Sequence, residues 1–290
     1  MKLIKPSYEI WEQGKELSGV AAQIERAARV CYASEPKGEV GELLGKLIKS
    51  KHYAMLEHGT VYLYIPSFEG DFYQHEDGSI DMPRDVRKYY TNKYSKFNYE
   101  DSIQESGFYI TTNYRVLVEN NWLDDLKYLC EPTEYHEKRI TVKFIMDRIG
   151  SQSFCRHRVF SFAQESTRYC NYSKDKFGNE VTFIQPCWDY IKTAAYNGVD
   201  HFDGDYFEHS LREAESYYFK LLDLGWKPQQ ARQVLPNALK TELVMTGFVS
   251  DWKHLFRLRT SFIAETGKPH PDIANLCDPL YNRFKELNLI

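Results

Sequence analysis

The sequence lacks any long apolar run. No stretch of the 290 residues approaches the roughly 20 consecutive apolar residues that a membrane-spanning helix needs. The segment from Met1 to Pro6 is too short and too polar to be read as a secretory signal. We therefore expect a cytoplasmic protein with no membrane partner.

Cysteine pairs at metal-binding spacing are also missing. The chain has six cysteines and no Cys-x-x-Cys pair among them: Cys31, Cys130, Cys155, Cys170, Cys187 and Cys277. Neither a zinc site nor a disulfide framework is indicated by such scattered positions. We expect free thiols and no bound metal.

An excess of positive charge is absent as well. Lysine and arginine number 37 against 41 acidic residues, which gives a formal net charge of -4. A chain with this balance has no overall attraction for nucleic acid or acidic membranes, so any basic site has to be local. Aromatic residues are plentiful, with 22 tyrosines and 17 phenylalanines, and we expect most of them to be core or interface residues.

Hydrophobic periodicity in the first half predicts helices followed by a strand. Apolar residues recur at helical spacing over positions 17–31 and 40–48, and positions 60–65 alternate as in a strand. Residues from about 66 to 135 are polar, tyrosine-rich and rich in turn signals, so we interpret 66–135 as an irregular insertion. Within it, positions 109–118 are compatible with a strand followed by a short helix.

The second half is predicted to be rich in helices. Positions 140–146 alternate as in a strand, and 181–184 form a short strand candidate. Helices are expected over 211–222 with a stop at Gly225, from Pro228 onward, over 252–262, and from Asp278-Pro279 to Leu287. Together these patterns predict a chain of mixed helices and strands, long enough to fold as one large domain or two small ones.

The densest group of polar functional side chains lies between Arg156 and Tyr169, where the sequence reads RHRVFSFAQESTRY. Guanidinium groups bind phosphates and carbonyl oxygens through paired hydrogen bonds, and this segment carries three of them. Phe160 and Phe162 alternate with the charges, so part of the segment has to be buried. The segment is therefore predicted to bind an anionic ligand.

Other interpretations of this segment stay open. The arginines could form a solvated face, or they could bind single-stranded nucleic acid together with the aromatic residues. The acidic balance of the chain weakens the second interpretation. Ser166 and Cys187 are potential nucleophiles, but a serine needs a positioned base and a lone Pro-Cys pair has little specificity. We interpret Cys187 as structural.

The arginine-rich segment resembles the signature of the flavin-dependent thymidylate synthases, in which Arg-His-Arg is followed after seven residues by Ser-x-Arg. Further stretches resemble that family in the same order along the chain: RAARVCY at 26–32, HYAMLEH at 52–58, ARQVLP at 231–236 and WKHLFRLR at 252–259. The resemblance implies the α+β fold of that family, with a mixed or antiparallel sheet flanked by helices, as a single domain over residues 1–290 in which about 66–135 is a large insertion.

The resemblance implies an enzyme that methylates deoxyuridylate (dUMP) to thymidylate (dTMP). In this family methylenetetrahydrofolate donates the carbon, FAD carries it and supplies a hydride, and NADPH reduces the flavin. It also implies a homotetramer with sites assembled across subunits and no nucleic-acid partner. A hydroxymethylase of the same fold is one alternative, and a nucleic-acid-binding module is an alternative from a different class.

The resemblance also implies roles for individual residues. Arg259 is the implied catalytic residue, polarising the uracil ring near N3. The implied substrate-binding residues are Ser153, Arg156, Gln164, Glu165, Ser166, Thr167, Arg168, Arg232 and Arg259. In that family the turn from Ser166 to Arg168 faces the phosphate, and Arg232 approaches from a neighbouring subunit. The implied cofactor-binding residues are His52, Ala54, Arg156, His157, Arg158, Gln164 and His254.

Several positions depart from the pattern of the family, including Ala163 and the stretch from Lys268 to Ile273. Ala54 and Met55 stand where a hydroxyl residue and a proline are usual, so one flavin contact is expected to be missing. Ser153 stands where glutamine or glutamate is common, and Gln164 where glutamate is frequent.

Overall fold

The chain folds into helices and mostly antiparallel strands. The computed structural model describes residues 1–35, 41–67, 73–76, 80–101, 106–188, 193–196, 199–265 and 267–290. In these ranges the strands are β1 (Lys2–Ile4), β2 (Ser7–Trp11), β3 (Thr60–Pro66), β4 (Tyr73–Gln74), β5 (Ile80–Asp81), β6 (Lys96–Asp101), β7 (Ser106–Asn113), β8 (Arg139–Asp147), β9 (Ser161–Gln164), β10 (Thr182–Ile184), β11 (Thr193–Tyr196), β12 (Val199–Phe202) and β13 (Lys240–Phe248). The α-helices are α1 (Glu16–Tyr32), α2 (Glu42–Lys49), α3 (Arg84–Tyr90), α4 (Tyr114–Glu119), α5 (Arg148–Cys155), α6 (Asp203–Asp223), α7 (Pro228–Ala231), α8 (Val249–Arg259) and α9 (Pro271–Glu286). Short 3-10 helices span Tyr53–His58, Leu123–Tyr128, Asp175–Phe177 and Arg232–Val234. The α+β class is confirmed.

The main sheet has the strand order β2–β8–β13–β9 and is antiparallel throughout. Val142, Phe144 and Met146 of β8 are buried in one core with side chains of α5, α8 and α9. This confirms the strand predicted over 140–146. Burying a side chain of this size contributes about 1.5–3 kcal/mol, so this face of the sheet holds three helices in place.

A second sheet, β3–β7–β6, packs with α1, α2 and the 3-10 helix Tyr53–His58 around a separate core. The strand predicted over 60–65 is confirmed as β3, and β7 followed by α4 confirms the strand and helix considered for 109–118. The prediction that 66–135 is otherwise irregular is wrong for its described residues, which also include α3 and β6. Val86 and Tyr89 of α3 are fully buried in this core, so packing stabilises a helix that is too short for its periodicity to be recognised in the sequence. That residues 66–135 form an insertion stays a prediction.

Most of the predicted helices are present. The helical patterns over 17–31 and 40–48 correspond to α1 and α2, and 211–222 lies within α6. Gly225 follows α6 with φ of 89°, a conformation that glycine adopts without steric cost, and α7 begins at Pro228 as predicted. The strand candidate 181–184 is β10, which pairs in parallel with β1.

The predicted start of the last helix is wrong. Helix α9 begins at Pro271, and Pro279 lies inside it. The side chain of Asp278, expected near the helix start, instead accepts hydrogen bonds from the backbone N and Oγ of Ser261, at 2.8 and 2.5 Å. Leu280 and Phe284 are fully buried, and burial of this apolar face outweighs the hydrogen bond that the proline removes. The preceding helix α8 ends at Arg259, short of the predicted limit at 262.

Two structural requirements bear on the described ranges, those of a membrane-spanning helix and those of a metal site. No described helix is both long and apolar enough to cross a bilayer. Across the same ranges, no group of three or more His, Cys, Asp or Glu side chains is placed to hold a metal ion. The six cysteines are free thiols.

Candidate functional site

The arginine-rich segment connects α5 to β9. Asp147 caps α5 by accepting a hydrogen bond from the backbone N of Gly150 at 2.6 Å, and Phe154 and Phe160 are buried in the core on either side of the turn. This packing leaves Arg156 and Arg158 exposed. Their guanidinium groups have no hydrogen-bond or ion-pair partner among the described residues, so both are available to a ligand.

His157 lies between these arginines but points inward. It is buried, and its Nε2 accepts a hydrogen bond from Nε of Arg259 at 3.0 Å. Burial, followed by the positive charge of Arg259 and the neighbouring His254, lowers the pKa of His157 to about 4. His157 is therefore neutral at physiological pH and fixes the direction of Arg259. We call Arg156, His157, Arg158, His254 and Arg259 the Arg259 cluster.

Gln164, at the opposite end of β9, has internal partners. Its Nε2 donates to Oγ of Ser151 at 2.9 Å and to Oγ1 of Thr241 at 3.3 Å. These bonds tie the end of β9 to α5 and β13. A contact of Gln164 with flavin or nucleotide stays a prediction.

Glu165 is buried directly after β9. Its Oε2 accepts from Nζ of Lys240 at 3.0 Å and from the backbone N of Glu242 at 3.2 Å. Lys240 also binds Glu242 at 2.8 Å, and both carboxylates hold the pKa of Lys240 above its ordinary value despite burial. Glu165 thus anchors the turn that follows it, and its predicted contact with substrate stays a prediction.

The turn from Ser166 to Arg168 is ordered by the rest of the chain. The backbone N of Ser166 donates to the carbonyl of Cys31 at 3.0 Å, and Oγ of Ser166 accepts from the backbone N of Arg168 at 3.3 Å. Nε of Arg168 donates to Oε1 of Gln229 at 3.2 Å. Nη1 of Arg232 donates to Oγ1 of Thr167 at 2.7 Å, within the same chain. We call Ser166, Thr167, Arg168 and Arg232 the turn cluster.

The two clusters lie at opposite ends of β9. The register sets Ser161 against Thr246 and Gln164 against Leu243 on β13. Four residues at about 3.3 Å each separate the two ends by roughly 10–13 Å. A single chain therefore brings the predicted residues together in two groups, and not in one.

Ser153 belongs to neither cluster. It lies on α5 one turn before Arg156, and its Oγ donates to the carbonyl of Ile149 at 3.2 Å. It also lines a mainly apolar cavity of about 470 Å³, whose other walls include Trp188 and Ile273.

The stretch from His52 to His58 packs against β9. His52 and Ala54 are exposed, as a ligand contact requires. His58 is fully buried with Nδ1 2.8 Å from Oγ1 of Thr246, and burial followed by the charge of Arg139 lowers the pKa of His58 to about 3. His58 is therefore neutral and holds this stretch on the main sheet.

Arg139 is a functional candidate that the sequence patterns do not reveal. Its Nη1 donates to the carbonyl of Glu57 at 2.9 Å, and its Nη2 donates to Oγ of Ser161 at 3.3 Å. It is buried, which lowers the pKa of Arg139 to about 10, so it remains charged at neutral pH. Arg139 therefore connects the His52–His58 stretch to the start of β9. A charged residue at the first position of a strand gives no sequence signal for such a connection.

Cys187 does not have the surroundings of a nucleophile. Its backbone N donates to Oδ1 of Asp272 at 2.9 Å. Burial, followed by the hydrogen bond and charge of Asp272, raises the pKa of Cys187 to about 11. Because the thiolate is the reactive form, this agrees with a structural role.

Comparison with known proteins identifies the family. The family model described as "Thymidylate synthase complementing protein" matches residues 130–287, more than half of the chain. The chain belongs to this family. The match includes the Arg259 cluster and the turn cluster, and the His52–His58 stretch lies outside it.

Curated relatives match over a shorter stretch. A flavin-dependent thymidylate synthase from Sulfurisphaera tokodaii is 31% identical over 114 residues, which cover 39% of this chain and 39% of the relative. A probable flavin-dependent thymidylate synthase from Paramecium bursaria Chlorella virus 1 is 28% identical over 130 residues, covering 43% and 58% of the two chains. The chain thus spans about two fifths of the length of the first relative.

A solved structure matches along nearly the whole chain at low similarity. The UMP/dUMP methylase PolB from Streptomyces cacaoi, bound with 5-Br UMP, is 16% identical and covers 99% of this chain and 92% of its own. The TM-score is 0.44.

Proposed function

We propose that this protein is a flavin-dependent thymidylate synthase that converts dUMP to dTMP, with methylenetetrahydrofolate as the carbon donor and NADPH as the reductant. One observation carries the proposal. Arg156 and Arg158 present guanidinium groups without partners in the described part of the chain, on either side of a neutral His157 that holds Arg259. This arrangement lies inside the stretch that the family model matches.

The Arg259 cluster has the donors that FAD requires. Diphosphate and ring carbonyl oxygens are acceptors that guanidinium groups bind in pairs, and both arginines are exposed. The residues proposed to hold FAD are Arg156, His157, Arg158, His52, Ala54, Gln164 and His254. When bound, FAD supplies the hydride and carries the one-carbon unit.

The turn cluster is proposed to bind the phosphate of dUMP. Ser166 and Thr167 offer hydroxyl groups, and Arg168 and Arg232 offer guanidinium groups whose directions are already set by Gln229 and Thr167. A site ordered before the ligand arrives loses less conformational entropy on binding. Ser153, Gln164 and Glu165 are the further proposed substrate-side residues.

Arg259 is proposed to stabilise charge on the uracil ring. As C5 of the pyrimidine becomes nucleophilic, negative charge develops on the ring, and a guanidinium fixed beside it lowers the barrier. His157 accepts a hydrogen bond from Nε of Arg259 and so fixes the direction of its guanidinium group. Because His157 is neutral, it adds no competing positive charge. No enzyme thiol takes part in this scheme.

We propose that the complete site needs a second copy of the chain. The Arg259 cluster and the turn cluster lie at opposite ends of β9, so a nucleotide that contacts both is best placed between two chains. In the homotetramer that the family resemblance implies, the turn cluster of one subunit would face the Arg259 cluster of its neighbour. Arg232 would then reach the nucleotide from the neighbouring subunit, as the family resemblance implies.

The test is a reaction with purified, flavin-loaded protein. We expect a yellow protein that forms dTMP from dUMP when methylenetetrahydrofolate and NADPH are present, identified by mass spectrometry. Folded, flavin-loaded protein that forms no dTMP would overturn the proposal. A hydroxymethylated product would identify the alternative enzyme, and a colourless protein that binds oligonucleotides in a salt-dependent way would favour a nucleic-acid-binding module.

A further inference from the structure

A small cavity beside the turn cluster contains an arginine that none of the sequence motifs includes. Arg148, Thr167 and Arg232 line it together with residues of the stretch 233–239, and its volume is about 220 Å³. At roughly 30 Å³ per water molecule, it has room for a phosphate group. Its polar lining residues are Arg148, Thr167, Arg232, Gln233 and Asn237, each of which carries at least one side-chain hydrogen-bond donor.

Arg148 and Arg232 both line this cavity, and none of its lining residues carries a carboxylate. Arg232 donates one N–H to Thr167, whereas the guanidinium of Arg148 has no hydrogen-bond or ion-pair partner within the residues that the structure describes. Each guanidinium carries five N–H donors, so most of these donors have no partner among the described residues. Because the two arginines carry like charges, an anion bound in the cavity would offset their repulsion.

Glu165 is buried nearby and does not neutralise Arg148. Its Oε2 is held by Lys240 at 3.0 Å and by the backbone N of Glu242. Its Oε1 has no hydrogen-bond partner among the described residues, and its ion pair is with Lys240 and not with Arg148. The positive charge of Arg148 is therefore left without an internal counterion among the described residues.

Helix stability does not explain an arginine at this position either. Arg148 is the first residue of α5, where the helix dipole disfavours a positive charge. Its backbone N donates to the carbonyl of Asn237 at 3.0 Å, which fixes the backbone next to the cavity whatever the side chain. The side chain is half-buried beside the cavity and not fully in water.

We propose that Arg148 and Arg232 form a two-arginine site for the phosphate of a nucleoside monophosphate, with the Thr167 hydroxyl as a third donor. Two guanidinium groups match the oxygens of a dianionic phosphate and favour it over a neutral nucleoside. The nucleoside part of this assignment rests on the proposed function, whereas the anion site follows from the cavity and its charges. Arg148 is thus a specificity-determining residue for the phosphorylated form of the substrate.

The test compares Arg148→Met with Arg212→Met by isothermal titration calorimetry. Arg212 is an exposed arginine of α6 that pairs with Glu208 on the same helix, so its variant controls for the loss of one positive charge. We expect Arg148→Met to weaken binding of dUMP and of inorganic phosphate by about 10- to 100-fold and to leave deoxyuridine binding within about twofold. The dUMP and phosphate affinities of Arg148→Lys should lie between those of Arg148→Met and the wild type, because lysine keeps the positive charge and lacks the paired N–H donors of the guanidinium group.

Circular dichroism and thermal unfolding establish that the variants are folded. Equal dUMP and phosphate affinities for Arg148→Met and Arg212→Met would overturn the inference. Arg148-dependent binding of inorganic phosphate by a wild type that does not bind dUMP would support the anion site and contradict the proposed function. A wild type that binds neither would contradict both.

Discussion

The two ends of β9 hold positive charge in different ways. At the Ser161 end, Arg156 and Arg158 are exposed and have no partner among the described residues. At the Gln164 end, Arg168 and Arg232 already donate to Gln229 and Thr167. Free guanidinium groups can adjust to a large ligand that brings its own acceptors, whereas guanidinium groups already held in place suit a small anion of fixed shape.

The two ends also differ in how they are supported. The Ser161 end is held by a neutral histidine, His157, and by the buried Arg139, which reaches across from β8. The Gln164 end is held by the ion pair of Glu165 with Lys240 and by strand hydrogen bonds. Substitutions at one end should therefore leave the chemistry of the other end largely unchanged.

The largest expected effect concerns Arg259. Arg259→Ala should lower the turnover of dUMP by about 10²-fold or more, because it removes a donor aimed at developing charge. Steady-state kinetics with flavin-loaded protein measures this effect. Arg257→Ala is the matched control, since Arg257 lies on the same helix and pairs only weakly, at 3.8 Å, with Glu265. Near-normal turnover of a folded Arg259→Ala variant would remove Arg259 from the site.

The second prediction concerns the bridge at Arg139. Arg139→Met leaves the carbonyl of Glu57 and the hydroxyl of Ser161 without this donor, so we expect unfolding free energy to fall by about 2–3 kcal/mol. Flavin binding should weaken more than dUMP binding, because the phosphate contacts proposed for the Gln164 end do not depend on the bridge. Chemical denaturation and flavin fluorescence titration measure the two effects.

Arg115 offers the matched control for that bridge. It also binds Glu57, but through the side-chain carboxylate and without reaching β9. Arg115→Met should therefore lower stability less and leave flavin affinity unchanged. Equal losses of flavin affinity in the two variants would contradict a bridging role for Arg139.

The third prediction concerns pH. The pKa of His157 in the folded chain is about 4, below its ordinary value near 6.5. Between pH 4 and pH 6.5 the imidazole is therefore protonated in the unfolded chain and neutral in the folded chain. The stability that neutral His157 contributes is present above pH 6.5 and is lost as pH falls toward 4. His58 acts in the same direction, with a pKa of about 3.

The contribution of His157 can be separated by substitution. His157→Gln keeps an acceptor for Arg259 and should show a shallower loss of unfolding free energy between pH 6.5 and 4 than the wild type. His209→Gln, at an exposed position of α6, should keep the slope of the wild type. Denaturant unfolding at a series of pH values gives the slopes, and identical slopes for all three proteins would show that His157 is not held neutral.

The smallest effect is expected for Cys187. Because burial and Asp272 raise the pKa of its thiol to about 11, Cys187→Ser should change turnover by less than about twofold. The same kinetic assay used for Arg259 applies here. A loss comparable to that of Arg259→Ala would indicate a thiol-dependent reaction and would contradict the division of roles between the two ends of β9.

Local sequence patterns were informative for several elements that bury one face. The alternation over 140–146 and the helical spacing over 211–222 both correspond to observed elements, because side-chain periodicity follows directly from strand and helix geometry. The same reasoning missed α3 and misplaced the start of α9, where Pro279 lies inside the helix. In both cases packing against distant residues outweighed the local signal.

The sequence by itself determined many of the helices and strands, the family resemblance and the concentration of arginines between Arg156 and Arg168. The tertiary structure decided which residues lie at each end of β9, that Arg139 bridges two segments, and that Arg148 shares a cavity with Arg232. The physical reason is that periodicity and spacing describe neighbours along the chain. Which distant residues meet depends on strand pairing and on burial of the whole core.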